Sequence, residues 1–122
     1  MANPFVHVEL NTQDVGKAKD FYGKLFGWKL NDTPMGDGMT YTMIDVGEGT
    51  GGGITQHPMP GAPSMWLAYT LVDDVAAATK KAVSLGATVI KDKTEIPEMG
   101  AFSILQDPTG AVFAMWETHN RG

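Results

Sequence analysis

The sequence predicts an α+β fold: two pseudo-symmetric β-α-β-β-β modules whose curved sheets surround a cleft, with the helices packed outside. Three observations carry this expectation. First, Asp14-Val15 opens an apolar run at helical spacing, and Asp74-Val75 opens a second one at an offset of 60 residues (74 − 14). Second, each run is preceded by one strand-like segment and followed by three. Third, a unit of about 55 residues with a single helix cannot cover both faces of its sheet and seldom folds alone, whereas two copies can form one core.

The elements follow in order. Phe5–Leu10 alternates in the manner of a strand. In the first helical run Val15, Ala18, Phe21, Tyr22, Leu25 and Phe26 fall on one face. Asp14 is its N-cap, because its carboxylate accepts orphan backbone N–H bonds, and Gly27 ends it. Strands are expected at Trp28–Asn31, Met39–Val46 and Gly51–Gln56. Turns separate them at Pro34-Met35-Gly36-Asp37-Gly38 and at the glycines around Glu48. His57–Ser64, with Pro58, Pro60, Gly61 and Pro63, reads as a rigid crossover. Met65–Leu71 is the next strand. Val75, Ala78, Ala82 and Leu85 then mark the second helix, with Asp74 as N-cap and Gly86 as terminator. Strands at Thr88–Lys93, Ala101–Gln106 and Ala111–Glu117 complete the second half, separated by Pro97–Gly100 and Asp107–Gly110. One domain is expected over residues 1–122, with modules at about 4–57 and 65–117 and the crossover at 58–64.

Composition narrows the function. The 122 residues are 43% hydrophobic and 19% charged, which is globular rather than disordered. No cysteine is present, which excludes disulfides, thiolate zinc sites, iron–sulfur clusters and a cysteine nucleophile. The net charge of −5 argues against nucleic-acid binding. No stretch resembles a secretory signal or a membrane span, so the expected location is cytoplasmic and Asn31-Asp32-Thr33 is a chance sequon. Gly47–Gly52 matches the text of a dinucleotide fingerprint. However, it feeds a strand ending before Pro58 and opens no helix, so it reads as a hairpin turn. Ser64, Ser84 and Ser103 lack a nucleophile-elbow context. His57 reads as a loop histidine and His119 as a solvated one. Lys17, Lys24, Lys80 and Lys81 read as solvated helix faces.

The residues now support a family resemblance. The run FVHVELNTQDVGKAKDFYGKLFGWKL resembles the opening of a vicinal oxygen chelate protein. That superfamily holds glyoxalase I, bleomycin-resistance proteins and extradiol dioxygenases. The second half agrees, with VDDVAAATKKAVSLGATV and then IPEMGAFSILQDPTGAVFAMWE. The chain looks most similar to the lactoylglutathione lyase-related branch. The resemblance implies paired modules, a cleft between sheets, and a homodimer. It also implies a ligand set for metal-dependent members: His or Gln on the first strand, Glu on the fourth, His or Gln on the fifth and Glu on the eighth. His7 stands at the first of these positions. The others fall at Gly53 or Ile54, near Leu67, and at Ala114, none of which donates a side-chain ligand. A slip of one or two residues brings in Tyr69 or Glu117, but a one-residue slip reverses the face. A catalytic metal site needs about three protein ligands, so no metal cofactor is expected.

His7 and Glu9 lie two apart on a strand and leave the same face, with Phe5. They read either as polar machinery that orients a ligand or moves a proton, or as a structural pair satisfied by neighbouring backbone or Tyr69. Met65, Leu67 and Tyr69 on the fifth strand, and Val112, Ala114 and Trp116 on the eighth, are the expected ligand-contacting set, with core packing as the alternative. Met39, Tyr41 and Met43 alternate together on the third strand, on a face the sequence leaves open. Three functions are in view. The first is a bleomycin-resistance-like protein binding a small, partly apolar organic molecule without a metal. The second is a lyase-, isomerase- or dioxygenase-like enzyme using His7 and Glu9, with an atypical metal. The third is a structural or regulatory dimer.

Overall fold

The computed structural model describes residues 2–36 and 39–119. The described residues form β1 (Phe5–Thr12), α1 (Val15–Phe26), β2 (Lys29–Gly36), β3 (Met39–Asp45), β4 (Gly52–Gln56), β5 (Met65–Leu71), α2 (Val75–Ser84), β6 (Thr88–Ile96), β7 (Gly100–Gln106) and β8 (Val112–Thr118). The order is the expected α+β one, β-α-β-β-β twice. The chain divides into two compact units, residues 7–67 and residues 1–6 with 68–122. The crossover thus groups with the first unit, and the N-terminal residues group with the second.

In the first unit the strands lie in the order β2-β3-β4-β1. β1 and β4 run parallel, with Glu9 opposite Gly53 and Leu10 opposite Ile54. The β3–β4 and β2–β3 pairs are antiparallel. Helix α1 starts where Asp14 Oδ1 accepts a hydrogen bond from the Lys17 amide at 2.9 Å. It stops at Gly27, whose φ of 68° is left-handed, and the Gly27 amide closes on the Gly23 carbonyl. One sheet face packs under this helix. Leu10, Ile44 and Ile54 are buried there against Val15, Ala18, Tyr22, Trp28, Leu30 and Val46. Alternation sends Glu9, Tyr41, Met43 and Gly53 to the opposite face.

β2 is longer than expected and includes Pro34 and Gly36, which the sequence assigns to a turn. The register shifts between these two residues, as in a β-bulge. β2 is an edge strand, where proline sacrifices no ladder bond. Asp37 and Gly38 of the same expected turn lie outside the described residues.

In the second unit the order is β5-β8-β7-β6. The carboxylate of Asp74 accepts from the Ala77 amide at 3.1 Å and starts α2. Helix and sheet meet through buried Thr79 and Ser103, whose hydroxyls lie 2.8 Å apart and satisfy one another. β6 runs three residues beyond its expected end at Lys93. It is an exposed edge carrying Lys91, Asp92 and Lys93, charges that discourage pairing with another chain. The turn before β8 is built by Asp107 Oδ1, which accepts from the Thr109 hydroxyl and from the Thr109 and Ala111 amides. These bonds, the Thr109 hydroxyl foremost, hold the Asp107 carboxyl below its ordinary range. No described helix is long and apolar enough to cross a membrane.

Candidate functional site

The chemically distinctive cluster lies on the face of the first unit away from α1. His7 and Glu9 project from it two residues apart on β1, as their spacing predicts. Between them stands the hydroxyl of Tyr41. His7 Nε2 lies 2.8 Å from Tyr41 Oη, and Tyr41 Oη donates to Glu9 Oε2 at 2.8 Å. The His7 and Tyr41 rings are nearly parallel, 23° apart, with centroids 6.3 Å apart. Asn11 Nδ2 donates to Glu9 Oε1 at 3.3 Å. Glu9 is only 9% exposed, so its carboxylate is buried but hydrogen-bonded at both oxygens.

The donor inventory fixes the direction of this chain. A phenol has one proton, and Tyr41 gives it to Glu9. The Tyr41 oxygen then accepts, so His7 carries its proton on Nε2. Burial pushes the His7 imidazole below its ordinary value of 6.5, favouring the neutral ring. Folding stability should therefore be complete above pH 6.5 and fall as the pH drops below it, because the unfolded chain binds a proton that the folded one resists. Denaturant titrations between pH 7.5 and about 5 should show this slope, and His7→Gln should flatten it. The carboxyls of Asp32, Asp107 and Glu117, all held low, contribute at more acidic pH.

The sequence does not assign Tyr41 to this cluster, because the face of β3 depends on its register with β4. That register sets Met43 opposite Gly53. Tyr41 lies two residues from Met43, on the same face, and its phenol leans across Gly53. A Cβ built on Gly53 would collide with the Tyr41 hydroxyl and ring. Tyr41 therefore fills the space that a side chain at position 53 would need. Asn11 is absent from the expected set because the expected strand ends at Leu10. β1 continues to Thr12 and places Asn11 on the Glu9 face.

The other candidates are distributed as follows. Phe5 is 69% exposed at the start of β1. On β5 Met65 is half-buried, and Leu67 and Tyr69 are buried. In the second unit Tyr69 pairs with Ala114 and Leu71 with Trp116. Phe102 pairs with Trp116, Ile104 with Ala114 and Gln106 with Val112. Tyr69, Val112, Ala114 and Trp116 thus share one face of this unit's sheet. The Tyr69 and Phe102 rings meet at 6.3 Å. The Met39 side chain lies outside the described residues.

Glu117, which a slip in alignment would make a ligand, lies on the α2 side. Its Oε1 accepts from the Val75 amide at 2.8 Å, capping that helix, and its Oε2 lies 2.9 Å from His119 Nε2. The Val75 amide is the main reason its carboxyl is held low. His119 is therefore engaged rather than simply solvated. Its amide also donates to the Met99 carbonyl at 2.9 Å. His57 is half-buried, and its Nδ1 accepts from the Met59 amide at 3.0 Å.

The metal implied by the resemblance does not fit these residues. Among the described residues no group of three or more His, Cys, Asp or Glu is arranged to hold a metal ion. Gly53 and Ala114 offer no side-chain donor. His7 and Glu9 are the potential ligands on β1, and both are bonded to Tyr41.

Fold and site together define a paired-module α+β protein with a hydrogen-bonded His–Tyr–Glu cluster. The family model described as the Glyoxalase/Bleomycin resistance protein/Dioxygenase superfamily matches residues 5–115, and the chain belongs to that superfamily. It is 36% identical over 107 residues to a Mycobacterium bovis protein named "Putative glyoxylase CFP32", covering 88% of this chain and 41% of that one. It is 31% identical over 125 residues to the anthracycline biosynthesis protein DnrV of Streptomyces peucetius, covering 88% of this chain and 44% of that one. The chain thus spans less than half the length of these curated relatives. Among solved structures, hypothetical protein BH1468 of Bacillus halodurans C-125 superposes with a TM-score of 0.75, at 12% identity, covering 100% of this chain and 99% of that one. That likeness concerns the fold.

Proposed function

We propose that this protein binds a small, partly apolar organic molecule, and that it does so without the divalent metal that the family resemblance implies for metal-dependent members. The observation that carries this reading is the seat of Tyr41. Its phenol occupies the space above Gly53, one of the two positions (Gly53 or Ile54) where the family resemblance expects a fourth-strand ligand, and its hydroxyl bonds to both His7 and Glu9. A metal at His7 and Glu9 would have to displace that hydroxyl, and Gly53 beside them offers no side-chain donor. An organic ligand needs a few oriented polar groups and apolar area. The first unit supplies the polar cluster. Met43, on the same face of that unit, adds apolar area. The names of two relatives, "Putative glyoxylase CFP32" and "Anthracycline biosynthesis protein DnrV", support a small-molecule role. We place the protein in the cytoplasm as a homodimer.

The test has two readouts. Protein purified without chelator should contain only substoichiometric divalent metal by elemental analysis; a stoichiometric ion would overturn the reading. A thermal-shift screen of small organic molecules should find compounds that raise the melting temperature, since a ligand bound only by the native state stabilises it.

The hydrogen-bond chain supports a second reading, that of an enzyme. A neutral imidazole, a phenol and a buried carboxylate in series form a proton path. Glu9→Gln separates the two. The new amide oxygen still accepts from Tyr41, so sequestration should survive, whereas acid–base turnover should fall by about 10²-fold or more. If the Glu9→Gln variant turns over ligand unchanged, Glu9 is not the acid–base group.

A further inference from the structure

On the opposite face of the first unit, beside the end of α1, lies a cavity of about 300 Å³ that plays no part in the cluster above. Its walls are Trp28 and Trp66, with rings 85° apart and centroids at 6.3 Å. Val8 and Ile44 form its floor, and the Thr50–Gly52 segment lies along its edge. Tyr22 braces both indoles, stacking on Trp28 at 5.8 Å and meeting Trp66 edge-on at 5.3 Å. Phe26 closes on Trp28 at 4.9 Å. The rings therefore hold one another in place. Trp66 nevertheless remains 40% exposed, a large apolar surface left to solvent.

We propose that this cavity is a second binding site, and that it takes a neutral, planar aromatic molecule of one or two fused rings. Three features choose this occupant. The volume lies at the low end of the range of ligand pockets, too small for a peptide segment or a polycyclic ligand. Two indoles at nearly a right angle offer a planar guest one stacking partner and one edge-on partner, the two favoured aromatic geometries. No lining residue is charged, so a guest with a net charge would be desolvated without compensation. Threonine and backbone groups on the rim can orient one polar atom. The site is independent of the His7–Tyr41–Glu9 reading and does not require it.

Indole is the probe. The protein has three tryptophans, so its nitrogen–proton correlation spectrum should contain three indole N–H signals. Adding indole should shift the Trp28 and Trp66 signals saturably and leave Trp116 in place. Indole-3-acetate and tryptamine should bind at least fivefold more weakly. Trp66→Leu removes one wall and should weaken indole binding at least fivefold. Thr50→Phe, which projects into the cavity from its rim, should do the same if the first variant does not fold. Binding that shifts only Trp116, or that both variants leave unchanged, would overturn the proposal. So would Trp28 and Trp66 signals that move on simple dilution, because a second copy of the chain would then be covering the cavity.

Discussion

Gly52→Ala is expected to destabilise the protein by about 3 kcal/mol, the upper end of ordinary overpacking losses. Gly52 lies opposite Val8 in the parallel β1–β4 pair, and a Cβ there would strike the Val8 carbonyl oxygen. That obstacle is backbone. It cannot rotate aside, and the same strand segment is tied by the Val8 amide donating to the Gly51 carbonyl at 3.2 Å. The two strands must separate or slip, and a slip of one residue would bring Glu9 to the core face that Leu10 now fills. Urea unfolding should show a lower midpoint with little change in slope. A variant as stable as the parent would mean that the β1–β4 register is not the one described.

One position further along, Gly53→Ala should have a different outcome. Its obstacle is the Tyr41 side chain, which can swing out. The expected stability loss is smaller, about 1–2 kcal/mol, because rotation relieves part of the overlap. The local consequence is larger. Tyr41 cannot leave without giving up its bonds to both His7 and Glu9, and the buried carboxylate loses a donor. Ligand binding at this face should therefore collapse in Gly53→Ala while the fold persists. Adding Tyr41→Ala should remove the collision, so the double variant should be more stable than the sum of the single losses predicts, with a coupling of about 1 kcal/mol. Strict additivity would show that the ring does not sit over Gly53. Tyr41→Phe complements this test, since it keeps the ring and deletes only the hydroxyl.

How far the sequence reveals this arrangement depends on where each signal resides. The helices are legible because their ends are local chemistry. Asp14 and Asp74 cap through their own side chains, and Gly27 turns the chain with its own φ. The pairing of His7 with Glu9 is legible because strand parity is also local. Tyr41 is not, because its place follows from which β3 residue lies opposite Gly53, and that register is set between separate segments of the chain. The true length of β2 is hidden by Pro34 and Gly36, turn residues that an edge strand tolerates. Glu117 illustrates the reverse case. A carboxylate near an expected ligand position looks like chemistry in the sequence, yet it serves as the cap of a helix that begins 42 residues earlier.

The first residues of the chain have an unexpected allegiance. Pro4 offers its carbonyl to the Leu71 amide at 2.9 Å, and the Asn3 side-chain amide donates to the Leu71 carbonyl at 2.9 Å. The N-terminal strip is thereby sewn onto the later half of the polypeptide. Replacing Asn3 would be felt at the far end of β5 rather than in the neighbouring helix. During synthesis that strip must wait, unpaired, until its partner has left the ribosome.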